Sequence, residues 1–164
     1  MSFTHLDERG NARMVDVSAK AVSFRRAVAR CRVLAAPSAL AALRTGGEEL
    51  ELLAVARMAG TQAAKRTARL VPLCHPINLA AVRVEIEPVA DGYDLAATAE
   101  IEERTGVEME ALTACAGAGL TLLCALLARD PAASLEQLAL WEKSGGKSGD
   151  WMRPADVPLP GASL

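Results

Sequence analysis

One short segment of the chain places a thiol beside an imidazole. Leu73, Cys74 and His75 follow a helical pattern that Pro72 ends, and Pro76 comes next, so the backbone here is expected to be irregular. A neutral imidazole in such a loop can donate or accept a hydrogen bond at the edge of a heterocyclic substrate. The segment is therefore a candidate substrate-binding site. The alternative is that His75 only satisfies a loop carbonyl.

Two glutamates, Glu108 and Glu110, open the second long helical pattern. Thr105 precedes Glu108 by three residues, which is the spacing of a capping box and gives Glu108 a structural explanation. Residues two apart point about 200° apart around a helix, so the two carboxylates are not expected to share a face. We therefore assign the functional role to Glu110 first and keep Glu108 as a further binding candidate.

A glycine-rich loop near the end of the chain carries Lys143 and Lys147. A phosphate-binding P-loop would need glycine at position 141, where Trp141 stands, and a following helix, so that interpretation fails. Two cations among many backbone amides still suit contact with a polyphosphate, and a solvated surface turn is the alternative. Arg25 and Lys65 are further cations of this kind, each of which could equally be an ordinary surface charge.

These residues belong to blocks that together resemble one known family. The blocks are Met14–Lys20, Gln62–Thr67, Leu73–Pro76, Thr105–Ala114 and Lys143–Asp150, in that order. They are similar to the molybdenum-cofactor biosynthesis protein C family, the cyclic pyranopterin monophosphate synthases. The resemblance covers nearly the whole chain, from about residue 4 to about residue 150.

The resemblance implies a role in molybdenum cofactor biosynthesis. The family converts a cyclised dihydroguanosine triphosphate, derived from GTP, into cyclic pyranopterin monophosphate and releases pyrophosphate. It implies a ferredoxin-like α+β fold and a homo-oligomer, commonly a hexamer built as a trimer of dimers, with active sites between subunits. Transferred residue by residue, it places the family's substrate-binding positions at Leu73, Cys74, His75, Met109 and Glu110, raises Lys143 to an active-site cation, and favours a role for Arg25 and Lys65.

Three positions depart from the family pattern. Counting from Glu110, the family's catalytic aspartate corresponds to Cys124, and the lysine three residues later corresponds to Leu127. A further family lysine corresponds to Glu49, which reverses the charge. A thiol and a leucine cannot reproduce a carboxylate–ammonium pair, so Cys124 is expected to be inactive, and we expect both residues to be packed in the core. The alternative function is an impaired paralogue that binds a purine or pterin triphosphate, or that partners an active synthase.

Composition limits the other functions. The 164 residues suit one domain, and a net charge of −2 gives no sign of nucleic-acid binding. Four scattered cysteines without a paired C-x-x-C spacing, and only two histidines, make a zinc site improbable. We expect reduced thiols in a cytoplasmic protein, with neither a metal nor a cofactor.

The terminal segments are expected to be tails around a single domain. Residues 1–12 are predicted to be flexible, with no apolar region typical of a signal peptide, and residues 153–164 are proline-rich. The domain is then residues 13–152. The uncharged run 111–128 has nearly the length of a membrane span. Its alanines, glycines and threonines favour a buried helix, with a membrane helix as the alternative.

Hydrophobic periodicity predicts the elements between the tails. Alternation predicts a short edge strand over 14–18 and a hairpin around Asp91–Gly92, and a strand is favoured over a helix for 21–34. Helical patterns run from Pro37 to about residue 46, from Glu48 to about residue 71, and from 107 to 129. A last strand covers 135–143. The expected architecture is an antiparallel sheet with two long helices on one face.

Overall fold

The computed structural model describes Asp7 and residues 9–147 and 149–154. Most of the two predicted tails therefore lies outside the described residues, as does Ser148. The elements in chain order are β1 (Ser23–Leu34), α1 (Pro37–Thr45), α2 (Glu49–Ala64), α3 (Thr67–Leu70), β2 (Ala81–Val89), β3 (Gly92–Glu103), α4 (Glu108–Leu127), β4 (Ser134–Ser144) and β5 (Trp151–Met152).

The strands form one antiparallel sheet in the order β2-β3-β1-β4-β5. The predicted hairpin is confirmed as β2 and β3, and the ambiguous segment is the central strand β1. Its alternate residues, such as Ala29, Cys31 and Val33, are buried beneath the helices. The ferredoxin-like α+β fold is thus confirmed.

Helices α2 and α4 cover one face of the sheet and pack closely on each other. Gly60 of α2 faces Ala114 and Ala118 of α4, and a Cβ at Gly60 would lie 2.7 Å from the Ala114 carbonyl oxygen. Gly117 of α4 lies in the same way against Ala63 of α2. Small residues on both helices therefore set the distance between them, which explains the alanine-rich composition of the core.

Two predicted elements are wrong. Residues 13–17 form no strand, and this stretch is instead an irregular segment ending in a turn at Ser18. The long helix predicted to residue 71 is interrupted at Lys65 and Arg66. Beyond the interruption, the buried Thr67 donates its hydroxyl proton to the carbonyl oxygen of Ala64, the last residue of α2, at 2.9 Å. This bond occupies a terminal carbonyl that would otherwise need another partner.

Helix α4 is long and apolar enough to cross a membrane by length and composition alone. It lies against β1 and β3 within the fold, however, and nearly half of it is buried. That is the pattern of a core helix. Its remaining surface is still apolar: Leu120 is 56% exposed and Leu127 is 43% exposed.

Candidate functional site

A cavity of about 320 Å³ opens at the N-terminus of α4. Three segments that are far apart in sequence form its walls: the irregular stretch before β1, the loop between α3 and β2, and the first turn of α4. It brings together six of the predicted site residues, namely Leu73, Cys74, His75, Glu108, Met109 and Glu110.

The sequence interpretation missed the opposite wall of this cavity. Val15, Val17 and Lys20 line it. Val15 and Val17 belong to the stretch 14–18 that was predicted to be an edge strand, and Lys20 follows that stretch. An adjoining hollow of about 520 Å³ is lined by Met14–Ser18 and by His75. Met14–Lys20 was one of the blocks that resemble the family, and this resemblance was the signal that could have assigned it to the site. Its alternating pattern indicated a strand, which is the wrong structure.

Glu110 is the most perturbed acid at the cavity. It is only 3% exposed, and burial raises the pKa of its carboxyl to about 7, with the neighbouring Glu108 carboxylate adding to the rise. Burial, and then the charge of Glu110, also raise the pKa of the Cys74 thiol. Near neutral pH, Glu110 can therefore either hold or release a proton, as a general acid or base requires.

Glu108 does not form the predicted capping box. Helix α4 starts after Val107, and no side chain in the described part of the chain caps its N-terminus. Instead, the Lys143 ammonium donates to a Glu108 carboxylate oxygen at 3.1 Å. Glu108 also lines the cavity together with Glu110, although the two residues were not expected to share a face of the helix. The cavity wraps around the helix end, and residues on different sides of the first turn can reach it.

The register of β4 places Lys143 on the helix side of the sheet. Lys143 pairs with the buried Ala27 of β1, whereas its neighbour Glu142 points to the other face, where it forms an ion pair with Arg26 at 3.1 Å. Two register shifts in the β1–β4 pairing set this alternation, and Gln137, at a positive φ of 56°, lies at the second of them.

Arg25 braces the loops around the site. Its guanidinium donates from Nε to the Glu103 carbonyl oxygen at 2.8 Å and from an Nη to the Arg104 carbonyl oxygen at 3.2 Å. Gly146 adopts a positive φ of 75°, and a Cβ there would collide with the same guanidinium. With Glu108 and Lys143, Arg25 lines a narrow cleft beside the cavity. These contacts favour a positioning role over direct contact with substrate.

The other predicted site residues lie away from the cavity. Lys65 is exposed at the end of α2. Cys124 and Leu127 are on the exposed side of α4, so the expectation that they pack in the core is wrong. Cys124 follows Glu110 by fourteen residues, which is about 21 Å along a helix. One chain therefore cannot bring both residues to the same small substrate.

Glu49 is engaged in a structural cluster. One of its carboxylate oxygens accepts the hydroxyl proton of the buried Tyr93 at 2.9 Å and the Nε proton of Arg44 at 3.2 Å. Burial, followed by the Glu49 carboxylate, raises the pKa of the Tyr93 phenol to about 12. Glu49 thus joins the start of α2 to β3, a role that a lysine could not fill with the same partners.

A larger hollow of about 550 Å³ lies on the open face of the sheet. Its two arginines are already partnered, since Arg32 donates to Asp94 at 2.6 Å and Arg30 stacks over Trp141 at 4.5 Å from the ring centre. None of the residues predicted from the sequence lines it. The cavity at α4 is therefore the better candidate site.

Comparison with known proteins identifies the family of this chain. The MoaC family model matches residues 14–146. The chain belongs to the MoaC family. A cyclic pyranopterin monophosphate synthase of Chloroflexus aurantiacus is 49% identical over 155 residues, covering 93% of this chain and 95% of that protein. A cyclic pyranopterin monophosphate synthase 3 of Mycobacterium tuberculosis is 51% identical over 165 residues, covering 98% and 93%.

The perturbed acid at this MoaC-family cavity predicts a pH-dependent stability. Because the folded state holds a proton that an unfolded glutamate loses above its ordinary pKa of 4.5, the contribution of Glu110 to stability falls as the pH rises from 4.5 to about 7 and stays low above that. Glu110→Gln removes this penalty. The variant should be more stable than wild type by up to about 3 kcal/mol at pH 8, and the difference should vanish near pH 4.5.

Urea unfolding at pH 5 and pH 8, at a fixed protein concentration, measures this difference. The exposed β3 variant Glu102→Gln is the matched control and should show no such change. A difference between Glu110→Gln and wild type that is the same at both pH values would contradict the assignment.

Proposed function

We propose that the cavity at the N-terminus of α4 binds the cyclised dihydroguanosine triphosphate of the cyclic pyranopterin monophosphate synthase reaction. The observation that carries this proposal is the convergence of Leu73–His75 and Met109–Glu110 on one cavity beside Lys143. The names of the relatives support the same activity for a chain that matches them over nearly its full length.

The triphosphate would lie at the start of α4 and against Lys20 and Lys143. A 20-residue helix presents unsatisfied backbone N–H groups and a partial positive charge at its N-terminus, and in the described chain no side chain caps this one. Phosphate oxygens would compete with Glu108 for the Lys143 ammonium. Protonation of Glu110 removes a negative charge that would otherwise repel the triphosphate.

The heterocycle would lie deeper, between the Leu73–His75 loop and Met109. Leu73 and Met109 offer apolar surface, and His75 offers a hydrogen-bonding edge at the point where the two hollows meet. Glu110 lines the same cavity, and its pKa suits proton transfer near pH 7. No cofactor or metal enters this proposal, and a cytoplasmic location fits it.

We also propose that the working form is a homo-oligomer, with the hexamer as the expected size. The outer face of α4, defined as Leu120, Leu123, Cys124 and Leu127, is apolar and partly exposed, and on α2 Met58 is 68% exposed. An exposed apolar patch of this kind is typical of a subunit interface. The separation of Glu110 from Cys124 along α4 favours a site completed by a second subunit.

An impaired synthase is the second candidate function. The positions of the family's catalytic aspartate and lysine are an exposed thiol and an exposed leucine, and Glu49 is bound to Tyr93 and Arg44. Ligand binding in the cavity does not need these three groups, whereas turnover does. Binding and turnover are therefore tested separately.

The first test measures binding. Calorimetric titration with GTP should give saturable heat for wild type, and Lys143→Ala or His75→Ala should weaken the affinity by about tenfold or more, because each removes a hydrogen bond to the ligand. The exposed β2 variant Arg83→Ala removes a cation elsewhere and should bind like wild type. An absence of heat at millimolar GTP, or unchanged binding by both site variants, would refute the proposed site.

The second test measures assembly. Light scattering at micromolar concentration should give a mass several times the 17.2 kDa of one chain, with six copies expected. Leu120→Glu places a charge on the outer face of α4 and should reduce the mass. Gln62→Glu adds the same charge to the exposed surface of α2 and serves as the control. A wild-type mass near that of one chain would rule out the oligomer.

The third test measures turnover of the cyclised substrate. Wild type should be slower than a complete family member by at least about 10²-fold, because each general acid–base group contributes roughly 10²–10⁴-fold. The double change Cys124→Asp with Leu127→Lys should raise the rate. Both positions are exposed within one chain, and where a second subunit covers this face the opposite charges, three residues apart on the helix, can pair with each other. The uncharged pair Cys124→Asn with Leu127→Gln is the matched control.

Glu49→Lys is added last, since it breaks the contacts with Tyr93 and Arg44, and folding is then checked by circular dichroism. Rapid product formation by wild type would refute the impaired synthase. A folded triple variant that binds substrate but stays inactive would show that the defect lies elsewhere in the cavity.

A further inference from the structure

Two cysteine sulfurs lie next to each other in the core, away from the cavity. Cys31 is in the middle of β1 and Cys115 is in α4, and their Sγ atoms are 3.0 Å apart. Both residues are buried, with 2% and 0% of their surface exposed. A disulfide bond is about 2.05 Å long, so the two sulfurs would need to approach by only about 1 Å.

The surroundings of the two sulfurs are small and apolar. Gly119, one turn after Cys115, lies so close to Cys31 that a Cβ there would be 3.5 Å from its sulfur, and Ala114 and Ala118 are fully buried on either side. The other partners of the thiols are distant: the Cys31 thiol donates to the Cys115 carbonyl oxygen at 3.6 Å. The two sulfurs already face each other with no side chain between them, and the Leu135 side chain packs beside them over Gly119.

We propose that Cys31 and Cys115 are an oxidation site, which peroxide converts into an internal disulfide that joins β1 to α4. The pair remains as thiols in a reducing environment. This proposal does not depend on the function of the cavity, and it assigns no role to Cys74 or Cys124.

The chemistry balances with hydrogen peroxide as the oxidant. One thiolate attacks a peroxide oxygen, which gives a sulfenic acid and hydroxide, and the hydroxide takes up the proton that the thiol released. The second thiol then attacks the sulfenic sulfur, the S–S bond forms, and water leaves. Two electrons pass from the two sulfurs to the peroxide.

Oxidation of the folded protein should be slow. The hydrogen bond to Cys31, together with burial, raises the pKa of the Cys115 thiol, and only the thiolate reacts. The first oxidation step is therefore slow in the native state and faster when local opening admits peroxide, after which the fold returns the two sulfurs to each other. Once formed, the bond would close a loop of more than eighty residues, which strongly restricts the unfolded chain.

The test uses the full chain. Reduced protein is refolded from urea in the presence of stoichiometric hydrogen peroxide, so that burial does not prevent the reaction. Remaining thiols are alkylated in denaturant, and peptides are mapped by mass spectrometry. The Cys31 and Cys115 peptides should be linked, and the melting temperature of the linked protein should rise by roughly 10 °C.

Two variants separate this pair from the other thiols. Cys124→Ser should keep both the link and the rise in melting temperature, whereas Cys31→Ala should lose both, with Cys115→Ala as the replacement if that variant does not fold. The proposal is wrong if the refolded protein carries separate alkyl labels on Cys31 and Cys115. A link that involves Cys74 or Cys124 instead would equally overturn it.

Discussion

Close contact between small residues fixes how closely α4 packs against α2 and the sheet. Gly60 and Gly117 leave no room for a Cβ between α2 and α4, and Gly119 lets α4 approach Leu135 of β4. These close contacts fix the position of α4 against α2 and against Leu135 of β4. The cavity depends on this constraint, since its floor is the first turn of α4 and its walls are attached to other elements.

The site places acids and cations at short range around that helix end. Glu108 accepts a hydrogen bond from the Lys143 ammonium, and its charge adds to the burial that raises the pKa of the Glu110 carboxyl. An anionic ligand would change both relations, because it would draw Lys143 away from Glu108. The proton affinity of Glu110 and the affinity of Lys143 for an anion are therefore linked. A substitution of either residue is expected to change the property of the other.

The sequence predicts the strongly periodic parts of the fold and the composition of the cavity. The hairpin, α1, α4 and β4 follow from alternation or helical spacing, and six cavity residues follow from family motifs. The alternation of Val15 and Val17 with polar residues could not predict that they line the cavity. An edge strand and an irregular segment along a cavity both partly bury alternate residues, so the two produce the same sequence pattern. The positive φ of Gln137 and the bulges near it also leave no sequence signal, although they decide on which side Lys143 lies. The interruption at Lys65 depends on one buried hydroxyl, that of Thr67.

The three departures from the family pattern differ in what they mean physically. Cys124 and Leu127 are exposed on α4, so packing within one chain does not depend on which side chains stand there. Only a ligand or a second subunit could require charged groups at these positions. Glu49 is different, because Tyr93 is fully buried and its hydroxyl needs the acceptor that Glu49 supplies. The side chains of Cys124 and Leu127 make no polar contact in the described part of the chain, whereas Glu49 is part of what holds α2 to β3. Reversal of the three changes is therefore easy at two positions and costly at the third.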